Sequence, residues 1–75
     1  MRRFRDLAGR SWEAVVGRES WGAFFAIFVP GASGEPVRQT QLEAGTWVDA
    51  ERELDALDDD GLRRLLDRST DKSLD

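Results

Sequence analysis

The pattern of apolar and polar positions divides the chain into a first half with strand character and a second half with helix character. Residues 11–17 alternate between apolar and mixed positions, which is typical of a half-buried strand. Residues 21–29 are apolar throughout, rich in aromatic residues and stopped by Pro30, which favours a central strand. Residues 37–44 are mostly polar with an apolar residue at alternate positions near their end, and predict an edge strand.

The spacing of apolar residues changes from that of a strand to that of a helix after Gly45. Thr46 is placed to cap a first helix. The apolar stripe of this helix consists of Trp47, Ala50, Leu54 and Leu57. A second short helix begins near Asp58 or Asp59 and buries Leu62, Leu65 and Leu66.

Together these elements predict the α+β class: a three-stranded antiparallel β-meander followed by two short C-terminal helices packed on one sheet face. The arrangement has two layers, because both helices are needed to cover a single face of the sheet. The predicted domain covers residues 11–68, with a basic N-terminal arm at 1–10 and a flexible C-terminal tail at 69–75.

The register of the first hairpin decides which apolar side chains the helices cover. A two-residue turn at Arg18 and Glu19 places Phe25 on the helix-covered face, and therefore Phe24 and Phe28 on the opposite face. Burial of each phenylalanine is worth about 1.5–3 kcal/mol, so leaving both uncovered is costly. We therefore expect this face to bind a partner, either a second copy of the chain or a different protein. Its predicted partner-binding residues are Val15, Phe24, Phe28, Val37, Gln39 and Gln41.

An alternative cover for the same face is the N-terminal segment of the chain itself. Phe4 and Leu7 are the two large apolar side chains of that segment, and they can fold back over Phe24 and Phe28. The sequence leaves both covers open, because short domains often use a terminus in this way.

Composition removes most catalytic and metal-binding chemistry. Among 75 residues there is no cysteine and no histidine, so the chain lacks disulfides, the usual zinc ligands, a thiol nucleophile and an imidazole base. The run from Asp58 to Gly61 resembles part of a calcium-binding loop, but Arg63 and Arg64 stand where ligands belong. We therefore expect no metal and no cofactor, and a non-enzymatic protein.

Charge is distributed unevenly around a net value of −4. The first 18 residues contain five arginines and two acidic residues, whereas residues 48–75 contain ten acidic and five basic residues. An acidic chain repels nucleic acid, which argues against nucleic acid as a partner for most of its surface. The basic arm is the exception, and its candidate nucleic-acid contacts are Arg2, Arg3 and Arg5.

Nothing in the sequence indicates a membrane protein. The longest run of apolar residues free of glycine and proline, Ala23 to Val29, is far shorter than the roughly 20 residues that cross a bilayer. Acidic residues separate this run from the basic N terminus, which does not fit a secretory signal. We therefore expect a cytoplasmic location. Ten of the eleven basic residues are arginine, which indicates a bacterial origin.

Overall fold

The computed structural model describes residues 2–32 and 34–72, and it shows one antiparallel sheet with two helices against one of its faces. The elements are β1 (Arg2–Arg5), β2 (Ser11–Arg18), β3 (Phe24–Pro30), β4 (Arg38–Gln41), α1 (Trp47–Asp55), α2 (Asp59–Asp67) and β5 (Thr70–Asp71). The strands lie in the order β1-β2-β3-β4-β5, so each pairs with its neighbour in sequence. The predicted α+β class and meander are confirmed, and the sheet has two strands more than predicted.

The two additional strands come from segments that the sequence predicts as an arm and a tail. β1 pairs with β2 along its whole length, from Arg2 opposite Ala14 to Arg5 opposite Ser11. β5 pairs with β4 and is held by Arg38, whose guanidinium donates to the Asp71 carboxylate at 2.8 Å. Each strand contains at most one large apolar residue, so neither has a periodic pattern that a sequence could reveal. Met1 of the predicted arm and residues 73–75 of the predicted tail lie outside the described residues.

The hairpin between β2 and β3 has a longer connection than the predicted two-residue turn. The last paired residues are Arg18 and Phe24, and the loop closes through the Glu19 N–H, which donates to the Ala23 carbonyl at 2.9 Å. Gly22 supplies the positive φ of 95° that this loop requires. The observed register differs from the predicted one by five positions. Because that number is odd, every side chain of β3 lies on the face opposite to the predicted one.

Both helices begin at the residues that the sequence indicates. The Thr46 hydroxyl accepts from the Asp49 N–H at 3.2 Å, and the Asp58 carboxylate accepts from the Gly61 N–H at 2.7 Å. These bonds satisfy N–H groups that a helix start leaves without partners. The predicted stripes are buried at Ala50, Leu54, Leu62, Leu65 and Leu66. Trp47, in contrast, is half exposed.

The core lies between the helices and the side of the sheet that they cover. Phe28, Leu54 and Leu62 are its largest fully buried side chains. The Phe4 ring meets the Phe28 ring edge-on, with centroids 6.0 Å apart. Since only two layers are present, the molecule is a flat body of 32 × 29 × 18 Å. Among the described residues, no helix has the length and apolar character that a membrane span requires.

Candidate docking surface

The side of the sheet opposite the helices, called the open face below, has no cover among the described residues. Side chains along a strand point alternately to the two faces of the sheet. The residues next to each buried core residue in β1 to β4 therefore lie on the open face. The open face consists of Arg3, Arg5, Ser11, Glu13, Val15, Gly17, Phe25, Ile27, Val29, Gln39 and Gln41. It thus combines an apolar centre on β2 and β3 with arginines on β1 and amides on β4.

The apolar centre of the open face is flat along most of its length. Val15 and Ile27 pair directly across the two central strands and are half-buried. The Ile27 side chain lies across Gly17, where an added Cβ would stand only 2.2 Å from Cδ1 of Ile27. At the β2–β3 loop, Trp21 meets Phe25 edge-on at 6.0 Å and remains 68% exposed. A flat aliphatic surface therefore ends in one prominent indole.

Three of the predicted partner-binding residues lie on the open face as expected, namely Val15, Gln39 and Gln41. Val37 continues the alternation of β4 beyond Arg38 and is half-buried, while its carbonyl accepts from the Lys72 N–H at 2.8 Å.

The predicted placement of Phe24 and Phe28 on the open face is wrong. Both lie in the core, 5% and 0% exposed, because the longer loop shifts the register of β3 by an odd number. Phe24 meets the Trp47 ring edge-on, with centroids 5.8 Å apart. The open-face side chains that sequence reasoning missed are therefore Phe25, Ile27 and Val29. The signal that could have found them is Gly22, because a glycine four residues after Arg18 allows the longer loop.

The alternative cover by the N-terminal segment is correct in part. Phe4 does contact Phe28, but it does so from within the helix-covered core as a residue of β1. Leu7 lies in the turn after β1 and is 91% exposed, so it covers neither phenylalanine. The open face itself receives no cover from this segment.

The three arginines predicted as nucleic-acid contacts do not all lie on the same side of the sheet. The side chain of Arg2, on β1, reaches the C-terminal end of α1. Its guanidinium donates there to the carbonyls of Leu54, Asp55 and Leu57, the last at 2.7 Å. Arg3 is on the open face and pairs with Glu13 at 3.3 Å. Arg5 is also on the open face, and its carbonyl accepts from the side chain of Arg63 at 2.7 Å. The three side chains therefore do not form one basic surface.

A cavity of about 430 Å³ opens at the end of the open face farthest from Trp21. It is lined mainly by Arg3, Arg5, Ser11, Glu13, Val29 and Pro30. Its volume falls in the range of about 300–1,000 Å³ that is common for sites taking a small organic group. The lining combines apolar contact from Val29 and Pro30 with the charged groups of Arg3, Arg5 and Glu13, and this combination suits an aromatic group that carries a hydrogen-bond donor.

Asp6 is the one described carboxyl group with a clear pKa shift, and its surroundings explain it as a structural residue. The indole N–H of Trp12 donates to it at 3.0 Å and lowers its pKa, and donors from Arg10 and Ala8 lower the pKa further. All these bonds are made within the β1–β2 hairpin. Because its oxygens are already occupied, this carboxylate is not poised to accept a proton from a substrate.

The acidic run at the start of α2 serves the helix. Asp58 is the cap described above, and Asp60 accepts from Arg63 at 2.9 Å. In residues 2–32 and 34–72, no three acidic side chains converge on a point where a metal ion could sit. In comparisons with known proteins, no family model matches this chain, and no curated protein or solved structure gives a significant match.

Proposed function

We propose that this chain is a small, non-enzymatic protein-interaction module that docks through its open face, with a second copy of itself as the partner. The observation that carries the proposal is the apolar centre of Val15, Phe25, Ile27 and Val29 on a sheet side without helices. A contiguous apolar patch of this kind is typical of protein interfaces in small soluble domains. We further propose that the module acts in the cytoplasm.

The edge strands of the sheet disfavour strand pairing between two copies, and this supports association through the open face instead. β1 contains three arginines among four residues, and a second copy of this strand would bring like charges together. The Arg5 carbonyl is already capped by Arg63. The other edge, β5, is only two residues long. Short and charged edges protect a sheet from edge pairing, so its broad face remains as the docking surface.

The dimensions of the molecule also fit this partner. The molecule extends about 32 by 29 Å along its two longer axes, which sets an upper limit for the area of its broad face. That area is of the same order as the roughly 800 Å² that each partner contributes to a standard interface. Two sheets packed face to face at about 10 Å form a sandwich whose centre is apolar, which is how the open face is composed.

The test is the mass in solution by light scattering over a concentration series, with two glutamate variants. Wild type should exceed the 8.5 kDa of one chain, and Ile27→Glu should return it to that mass because a charge enters the apolar centre. Val48→Glu is the matched control, since Val48 is exposed on α1. If Ile27→Glu fails to fold, Val29→Glu at a more exposed position replaces it. Wild type that stays at 8.5 kDa at millimolar concentration would overturn the proposal.

The alternative function, nucleic-acid binding through Arg2, Arg3 and Arg5, has less support. Arg2 is engaged with the end of α1, and Arg3 is paired with Glu13. Phosphate binding needs several free cations on one surface. A salt titration with single- and double-stranded oligonucleotides tests it, and we expect no binding even at low salt.

A further inference from the structure

The exposed indole and the cavity of the open face lie at its two opposite ends. Trp21 stands over Phe25 at the β2–β3 loop, whereas the cavity is bounded by Val29 and Pro30 at the far end of β3. A strand of this length extends about 20 Å, so Trp21 cannot reach the cavity of its own chain. Both features lie along the same two strands, β2 and β3.

The cavity has the chemistry that an indole ring requires. Val29 and Pro30 provide apolar contact, and the guanidinium groups of Arg3 and Arg5 can lie over an aromatic face. The Glu13 carboxylate can accept the N–H of an indole, which is a donor only. Exposed tryptophan is costly, and tryptophan is among the residues that most often anchor an interface in a pocket of the partner.

We propose that two copies pack face to face about a two-fold axis perpendicular to β3, so that each Trp21 fills the cavity of the other copy. This inference rests on the proposed docking function of the open face. An axis in that direction reverses the strands of the second copy and brings its Trp21 over the cavity. Because a two-fold contact is reciprocal, one axis fills both cavities.

The competing two-fold axis, parallel to β3, gives a different arrangement of the same faces. It keeps the strand direction, so the two Trp21 side chains meet each other and both cavities stay open. Two prominent indoles at one end would also hold the flat parts of the faces apart there. The perpendicular axis therefore gives better complementarity between the two surfaces.

Disulfide trapping distinguishes the two axes, because the natural chain has no cysteine. Ser11→Cys places a thiol at the cavity and Ser20→Cys places one beside Trp21, and both serines are exposed. Under mild oxidation, a mixture of the two single variants should form the mixed dimer in excess of either self-linked dimer. Within one chain the two positions are about 20 Å apart, far beyond the roughly 7 Å between Cα atoms that a disulfide allows.

A self-linked dimer of Ser20→Cys in excess of the mixed dimer would overturn the perpendicular axis while leaving the proposed docking through the open face intact. A wild type of 8.5 kDa at all concentrations would overturn both.

A second experiment measures the contribution of the indole itself. Trp21→Ser should raise the dissociation constant of the dimer by at least about tenfold, as expected for an interface anchor. Trp47→Ser is the control, because Trp47 is half exposed but packs on the helix-covered side against Phe24. Circular dichroism should show both variants folded. Equal dissociation constants for wild type and Trp21→Ser would contradict the proposal.

Discussion

The two faces of β3 have nearly the same composition but opposite surroundings. Phe24, Ala26 and Phe28 point to the helices and are at most 5% exposed, whereas Phe25, Ile27 and Val29 point to the open face. Each side thus carries one or two phenylalanines and small or aliphatic residues. What distinguishes the core from the open face is the layer that covers the core, and the strand itself contains no signal of which side that is.

The faces also differ in how their charged groups are used. On the covered side, Arg2 and Arg38 each donate several hydrogen bonds to carbonyl, hydroxyl or carboxylate oxygens. On the open face, Arg3 makes one ion pair and its side chain is 82% exposed. Charges on the covered side therefore contribute more to the fold than the exposed ion pair of the open face.

The largest expected effect comes from removing a phenylalanine on the covered side of β3. Phe28→Ala should lower the free energy of unfolding by about 3–5 kcal/mol, because Phe28 is fully buried and its loss leaves a cavity. Phe25→Ala should cost much less in a monomeric sample, since its ring is only half-buried. Urea unfolding at low protein concentration measures both. Equal losses of unfolding free energy in the two variants would mean that other residues of the same chain already cover the open face.

The next effect concerns the two arginines at the start of β1, which point to opposite sides of the sheet. Arg2→Ala should cost about 1.5–3 kcal/mol, because three carbonyls at the end of α1 lose a charged donor. Arg3→Ala should stay within about 1 kcal/mol, since its ion pair is exposed. Urea unfolding of the two variants provides the comparison. A larger loss from Arg3 would contradict the assignment of the two faces.

The class of the fold and the position of each helix follow from local features of the sequence. Thr46 and Asp58 are capping residues followed by apolar positions at helical spacing, and both helices start there. These signals are local, because a cap and a stripe act within two turns of a helix. The meander is equally local, since each strand follows its neighbour in the chain.

The open-face residues of β3 depend on the length of the loop, for which Gly22 is a weaker signal than a helix cap. A turn of two residues and the observed loop from Glu19 to Ala23 agree with the same apolar pattern, and only the second puts Ile27 opposite Val15. The apolar pattern also predicts that Phe25 pairs with Leu42, whereas Phe25 pairs with Gln41, so this second register is wrong by one position and the open-face side of β4 is nevertheless correct. Gln39 and Gln41 were thus placed correctly by two errors that cancel.

The stability that Asp6 contributes to the hairpin between β1 and β2 is expected to depend on pH. In Asp6→Asn one carboxylate oxygen becomes a nitrogen that cannot accept, so the variant keeps either the bonds from the N–H groups of Ala8 and Arg10 or those from the side chains of Arg10 and Trp12. It should destabilise the fold less than Arg2→Ala, because half of these bonds are kept. The pKa of Asp6 is lowered in the folded protein, so its contribution is present above the ordinary carboxyl value of 3.8. It is lost as the pH falls through the lower folded value.

Thermal unfolding of wild type and Asp6→Asn at pH 7 and at stepwise lower pH provides the measurement. The difference between the two should shrink as the pH falls below about 4. Glu13→Gln is the control on the open face, where loss of the surface ion pair with Arg3 should change the thermal stability little at pH 7. A difference between wild type and Asp6→Asn that grows in acid would contradict the role given to Asp6.

The smallest effect on stability, and the most specific for the open face, is expected from Gly17→Ala. The new methyl group would stand 2.2 Å from Cδ1 of Ile27, so that side chain must turn away from the sheet. Cδ1 is the end of a flexible chain on an uncovered face, and the rotation costs only about 0.5–1.5 kcal/mol. The lower backbone freedom of alanine in the unfolded chain offsets part of this cost.

If two copies pack through the open face as proposed, association should weaken much more than stability, because the side chain of Ile27 is displaced within the proposed contact surface. Gly45→Ala serves as the control, since nothing lies within 4 Å of its added Cβ and the residue is outside the open face. Methyl NMR of Ile27 reports the rotation, and light scattering reports the mass. If the Ile27 methyl signals move and the association constant does not, the apolar centre is not the contact surface. The two faces of β3 would then differ only in that helices cover one of them, and the open face would have no docking function.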